Sequence, residues 1–230
     1  MSKKVNLIVV AHPDDEILGF GATGTKLVSD GEIVQPIILC GYVDVRNHRP
    51  SDDELYQNMC AANREVSFRE PILGSFPNIR MNTVPHVEIV QFIEKQIEKF
   101  QPSRIFTHHP GDLNDDHVQV SKACQAAARL YQRRSDITAL QALYFMEILS
   151  STDWAFPTTG ENFIPSTFVE VGEELLDKKI KALAHYRKVM RPYPHPRSEE
   201  VLRGLAAYRG GQAGLYYAEA FQLVFQQGIA

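Results

Sequence analysis

The stretch Val5-Asn6-Leu7-Ile8-Val9-Val10, running directly into Ala11-His12-Pro13-Asp14-Asp15-Glu16, decides how this chain is read. A short apolar run rich in β-branched residues and without clean alternation predicts a strand buried on both faces. It ends in an imidazole and three carboxylates, just past the strand's carboxyl end, where open α/β sheets bind their ligands. Three acids beside one histidine repel one another unless a cation or a proton compensates them. His12 and Asp15 suit a zinc ion, and Asp14 between them is left to serve as a base. In isolation, Asp14 and Asp15 also fit the N-cap and first-turn acid of a helix starting at Ile17.

Working outward, further strands are predicted at Val34–Leu39, Ile72–Leu73, Arg104–Thr107, Ala142–Phe145, Thr167–Val171 and Phe221–Phe225. Helical spacing of apolar residues covers Ile17–Ser29, Asp53–Val66, His86–Phe100, Val118–Arg133 and Leu175–Val189. Ser198-Glu199-Glu200 reads as an N-cap with two first-turn acids opening another helix. Strands alternating with helices predict a three-layer, Rossmann-like α/β domain with a mainly parallel sheet and an added C-terminal helical portion. Neither a repeat nor a linker divides the chain, so residues 1–230 read as a single domain.

The bulk numbers remove several function classes. The 230 residues carry a formal net charge of −4, so neither a nucleic-acid footprint nor a polybasic membrane contact is expected. Cys40, Cys60 and Cys124 show no CxxC spacing and read as buried thiols of a reducing compartment. The apolar run after Lys3-Lys4 is too short for a signal sequence, and no stretch approaches a membrane span. The expected address is the cytoplasm.

A second cluster, His108-His109-Pro110-Gly111-Asp112-Leu113-Asn114-Asp115-Asp116-His117, follows the strand at Arg104–Thr107, with a helix expected after His117. In a parallel sheet both strand ends open on one edge, so the two clusters can converge. Two histidines and one aspartate leave a fourth zinc position open, as in a catalytic site. Imidazole ligands favour zinc over magnesium. His108 and His109 read as turn residues or supports for the ligands.

His12-Pro13-Asp14-Asp15-Glu16 together with Asp116-His117 resembles the paired signatures of the PIG-L/LmbE-like zinc de-N-acetylases. The likeness continues in Gly19–Gly24, Pro77-Asn78, Ser150–Trp154, Pro194-His195-Pro196-Arg197-Ser198 and Tyr217–Phe221. It implies one Zn2+ per subunit on His12, Asp15 and His117, Asp14 as general base toward the zinc-bound water, and a homo-oligomer. The implied reaction removes acetyl from an N-acetylamino sugar or its conjugate. Many members carry His-Pro-Asp-His where this chain has Asn114-Asp115-Asp116-His117. Asp116 can still orient an imidazole, but Asn114 cannot be a charged donor, so His195 becomes the candidate oxyanion donor. Arg46, Arg49, Asn78, Asn82, Asn114 and Trp154 are the candidate substrate contacts, since guanidinium, amide and aromatic groups suit hydroxyl-rich rings.

Two rivals share the metal site: a zinc amidase on a non-sugar amide or amino-acid conjugate, and a silent metal-binding module. A receiver-like magnesium switch leaves His12 and His117 without a role. Gly19-Phe20-Gly21-Ala22-Thr23-Gly24 is formally a GxGxxG. The dinucleotide fingerprint needs its glycines in the turn directly after the strand. Here the acids hold that turn, so the glycines are expected to permit close packing or substrate approach.

Overall fold

The structure, a computed structural model, describes residues 3–41, 50–157 and 160–228. Among them, β1 (Val5–Val10), β2 (Ile33–Ile38), β3 (Ile72–Leu73), β4 (Arg104–His108), β5 (Ala142–Met146), β6 (Thr167–Glu170) and β7 (Ala218–Gln226) form one sheet. Their order is β3-β2-β1-β4-β5-β7-β6. The first five run parallel; β7 is antiparallel to β5, and β6 antiparallel to β7. The chain leaves β1 toward β2 and β3 on one side, then returns to β4 and β5 on the other. The crevice between β1 and β4 is therefore the topological switch point of the sheet.

Helices α1 (Asp15–Ser29), α2 (Asp52–Glu65), α3 (His86–Phe100), α4 (Asp115–Ala127), α5 (Leu130–Arg133), α6 (Gly172–His185) and α7 (Glu199–Ala213) cover both faces. Successive β1 side chains point to opposite faces. Ile8 and Val10 join a core with Phe20, Met59, Leu183 and Leu202 under α1, α2, α6 and α7. Leu7 and Val9 join Ile89, Ile93, Val120 and Cys124 under α3 and α4. Two apolar layers thus clamp β1, which is why its sequence lacks alternation.

The three-layer expectation holds, with corrections at boundaries. The Val118–Arg133 pattern is two helices, because hydrogen bonding tightens from Ala128 N–H to Cys124 O into Arg129 N–H to Ala126 O before α5 begins. α4 starts before His117 rather than after it: Asn114 is its N-cap, accepting from Asp116 N–H at 3.0 Å. α1 likewise starts at Asp15, two residues before Ile17. The Leu175–Val189 helix is shifted to Gly172–His185, Tyr186 leaving the helical conformation with ψ 116°. The C-terminal portion carries two antiparallel strands besides its helices, and the closing strand extends back to Ala218. Ser198 caps α7 as expected, accepting from Val201 N–H. Cys60 is half-buried while Cys40 and Cys124 are buried, and all three are free thiols.

The glycines of the formal GxGxxG lie inside α1, where they permit packing. A Cβ on Gly24 would stand 2.2 Å from Phe68 Cζ, and one on Gly19 2.6 Å from Ile148 Cδ1. No described helix is long and apolar enough to cross a membrane.

Candidate active site

The chain passes from β1 into α1 through Asp14, whose φ of 103° is left-handed and unusual for a residue bearing a Cβ. Asp14 occupies the N-cap position, yet its side chain makes no capping hydrogen bond. The carboxylate instead accepts from Arg197 Nη1 at 3.0 Å. The N-cap alternative therefore accounts for its place in the chain but not for its side chain. Its backbone N–H donates to Glu16 Oε2 at 3.0 Å.

β1 and β4 end side by side, so His12 and the β4–α4 segment meet over the switch point. His12 Nδ1 lies 3.2 Å from His117 Nε2 and 3.3 Å from Asp15 Oδ2; His117 Nε2 lies 3.2 Å from the same oxygen. Zinc bound tetrahedrally at about 2.0–2.1 Å needs ligand atoms about 3.3–3.4 Å apart, and these three atoms have that spacing. The outer nitrogens complete the fit. His12 Nε2–H donates to Asp116 Oδ2 at 2.9 Å and His117 Nδ1–H to Asp112 Oδ2 at 2.9 Å. Each carboxylate fixes the tautomer that turns a lone pair toward Asp15. All five residues are buried.

Charge follows geometry. Burial alone would depress His117, but Asp15 and Asp112 outweigh it and raise its pKa to about 10. His12 is raised in the same sense, the Asp116 and Asp15 carboxylates overcoming burial. Asp15 is held well below the usual carboxylate range: burial opposes this, and His117, His12 and His108 overcome it. The centre thus calls for a positive charge, and a metal binding there would displace a proton.

Among the described residues two further groupings meet the distance requirement for a metal, and both are poorer. His12, Cys40 and Asp116 would need the His12 nitrogen already bonded to Asp116. In His108, Asp112 and His117 the imidazoles stack at 3.8 Å and 16°, so their in-plane lone pairs run parallel instead of converging. His108 Nε2 accepts Ala11 N–H at 2.8 Å, leaving the proton on Nδ1. Burial first, and then His117, keep it well below its ordinary pKa. His108 is thus a neutral imidazole stacked on His117. His109 sits edge-on to Phe145 and Phe163, in a packing role.

The remaining candidates divide. Asp116 accepts from His12, Ile79 N–H (2.5 Å) and Met81 N–H (2.9 Å), so it ties His12 to the 77–81 turn. In that turn Asn78 is buried at 1% exposure, and neither polar atom of its side chain has a hydrogen-bond partner among the described residues. It lines a small cavity with His12, Pro13, Asp14 and Tyr186. Asn114 uses its side-chain oxygen to cap α4, leaving only Nδ2 for a substrate. Asn82 is exposed. Trp154, 46% exposed, meets His195 at 5.5 Å between ring centroids. None of the hydrogen bonds of His195 goes to His12, Asp14, Asp15 or His117; its Nδ1 accepts Arg197 N–H at 3.0 Å, leaving the proton on Nε2. Burial, Arg191 and Arg197 keep it below its ordinary pKa. Arg46 and Arg49 lie outside the described residues.

Three residues at the centre escape a reading of the sequence for ligands. Arg197 reaches Asp14. Ser151 Oγ lies 3.3 Å from His117 Nδ1. Glu16, fully buried behind Asp14, accepts from Asp14 N–H, Asn63 Nδ2 and the Tyr186 hydroxyl. Burial raises its pKa to about 7 against those hydrogen bonds, with the neighbouring Asp14 adding to the rise.

Comparison with known proteins gives the family and the fold. The family model PIG-L, described as GlcNAc-PI de-N-acetylase, matches residues 7–128, from β1 to the end of α4. The chain belongs to the PIG-L family of hydrolytic N-deacetylases. It is 26% identical to the uncharacterized deacetylase YaiS of Escherichia coli K12, over 80% of this chain and 91% of that protein. Its fold superposes on the N,N'-diacetylchitobiose deacetylase of Pyrococcus horikoshii with a TM-score of 0.78, covering 96% of this chain and 84% of that one at 19% identity. It also superposes on GalB, the 4-carboxy-2-hydroxymuconate hydratase of Pseudomonas putida KT2440, with a TM-score of 0.75 at 18% identity, covering 99% and 98%. One fold thus carries deacetylation in one neighbour and hydration in another, so the reaction of a PIG-L chain is argued from its site.

Proposed function

We propose that residues 1–230 form one catalytic domain that removes the N-acetyl group from an N-acetylamino sugar or its conjugate. Zinc would be held by His12, Asp15 and His117, one ion per subunit. One observation carries the reading: two imidazole lone pairs and one carboxylate oxygen converge at 3.2–3.3 Å beside an aspartate that does not cap its helix. When bound, zinc supplies Lewis acidity, polarising the acetamide carbonyl and easing deprotonation of water.

This chain's own groups do the rest. Asp14 takes a proton from the attacking water as the C–O bond forms. It returns that proton to the amine nitrogen as the C–N bond breaks, so acetate and the free amine leave. Asp116 and Asp112 hold the two imidazoles in their donating tautomers. His195, carrying its proton on Nε2, donates to the charge that develops on the carbonyl oxygen. Asn78 offers an unpartnered buried amide to a sugar hydroxyl or to the acetamide, and Trp154 an apolar face to the ring. Arg46, Arg49 and Asn114 complete the proposed contacts. A cytoplasmic homo-oligomer is part of this proposal, supported by the free thiols and the family resemblance.

With N-acetylated amino acids as the comparison, acetate release from N-acetylglucosamine, N,N'-diacetylchitobiose and a lipid-linked N-acetylglucosamine tests the reading. Turnover is expected with at least one of them, lost after chelation and restored by zinc. Turnover that survives complete chelation contradicts the metal reading; turnover only of N-acetylated amino acids favours the amidase alternative.

A further inference from the structure

The Asp14 carboxylate is held from a part of the chain far from its own helix. Arg197, 183 positions later, places Nη1 3.0 Å from Asp14 Oδ2. Its Nε donates to Ser150 Oγ at 2.8 Å, with Leu149 O at 3.4 Å. The backbone of Arg197 is fixed as well: its N–H donates to His195 Nδ1 at 3.0 Å and its carbonyl accepts from Arg191 N–H at 3.1 Å. The guanidinium side chain is 16% exposed and the Asp14 side chain 5%, so water screens the pair little. The turn that anchors Arg197 also carries Ser151 to His117. One turn therefore ties both the aspartate and a ligand histidine to the C-terminal loop.

We infer that Arg197 is a positioning residue for Asp14. Its guanidinium, braced on Ser150 and Leu149, holds the carboxylate in one orientation beside the metal ligands. The inference rests on the reading of Asp14 as the base. A charge-assisted hydrogen bond from a rigid fork fixes direction as well as distance. A lysine at this place has one nitrogen for two anchors and so loses one of them. Arg197 bonds to none of His12, Asp15 and His117, so metal content is not expected to change when it is replaced.

The test compares zinc-loaded wild type, Arg197→Lys, Arg197→Ala, Asp14→Asn and the double variant Asp14→Asn/Arg197→Ala. Acetate release from N,N'-diacetylchitobiose is the readout, together with crystal structures of wild type and Arg197→Ala. Misplacing a reacting group by about 1 Å can cost on the order of 10²-fold. Arg197→Ala is therefore expected to lose roughly 30–100-fold in kcat, with KM within about threefold. Arg197→Lys falls between, and added guanidinium restores part of the Arg197→Ala loss. In the Asp14→Asn background the same change is expected to cost less than about threefold, because its effect passes through Asp14. In the crystal the Asp14 carboxylate moves from its wild-type place.

An equal loss in both backgrounds, a change in KM alone, or an unmoved Asp14 carboxylate overturns the inference. If the chitobiose is not turned over, the crystal structures decide it alone. Wild-type kcat in Asp14→Asn is a different result: it removes the base assignment itself.

Discussion

Asp14→Asn is expected to lower kcat by about 10²–10⁴-fold, the range that a positioned general acid–base contributes. That corresponds to roughly 3–5 kcal/mol of barrier. Asparagine has nearly the same shape, and its side-chain oxygen can still accept from Arg197, so the left-handed turn at φ 103° and the start of α1 are expected to survive. It cannot take a proton from water at neutral pH. His12, Asp15 and His117 are untouched, so metal content is expected to equal wild type. The check pairs elemental analysis with steady-state acetate release. A variant with full metal and full turnover shows that Asp14 is no base; one that loses its metal shows that Asp14 supports the ligands instead.

The second large effect lies away from the site, in the core between α1, α6 and β7. Lys179 Nζ donates to Glu219 Oε1 at 2.7 Å and to Leu18 O at 2.6 Å. Glu219 accepts in turn from Thr23 N–H at 2.7 Å and Ala22 N–H at 3.3 Å. A buried ion pair thus engages the backbone of α1, the helix whose first turn carries Asp15. Both side chains are less than a tenth exposed. Removing one partner of such a pair leaves an uncompensated buried charge, at a cost of about 3–5 kcal/mol. Lys179→Met is therefore expected to lower the melting temperature by roughly 6–20 °C, taking 2–4 °C per kcal/mol for a chain of this size. Lys179→Met/Glu219→Gln is expected to be milder, since glutamine buries no charge while its oxygen still accepts from Thr23. Thermal denaturation of the two variants beside wild type checks both. A double variant less stable than Lys179→Met alone contradicts this account.

How much was legible in the sequence depended on the range of the interaction. The run Val5–Val10 declared itself because a strand between two apolar layers needs apolar residues on both faces, and all but Asn6 are apolar. His12, Asp15, Asp116 and His117 were legible because sheet topology brings adjacent strand ends together, whatever the intervening chain does. Helix ends were less so. The break at Ala128 lies in an alanine-rich stretch where propensity favours continuation, and Asn114 reads both as a loop residue and as a cap.

The partners of Asp14 and Glu16 were out of reach for a different reason. Arg197 and Tyr186 lie 183 and 170 positions away, on segments whose arrival at β1 depends on how α6 and α7 pack. The proline-rich loop was marked by Pro194-His195-Pro196-Arg197, in which His195 stood out as a donor for the role that Asn114 cannot fill. The arginine in the same motif is the side chain that bonds to Asp14 directly.

The most direct test of the central claim is the metal content of wild type and His117→Ala after incubation with zinc and exhaustive dialysis. His117 supplies one of three converging donor atoms and, among the described residues, bonds outward to Asp112 and Ser151. Near-stoichiometric zinc in wild type that falls to background in a folded His117→Ala is the predicted result. Wild type that retains no more zinc than the variant contradicts the account at its root, because the convergence of His12, Asp15 and His117 would then serve a proton alone.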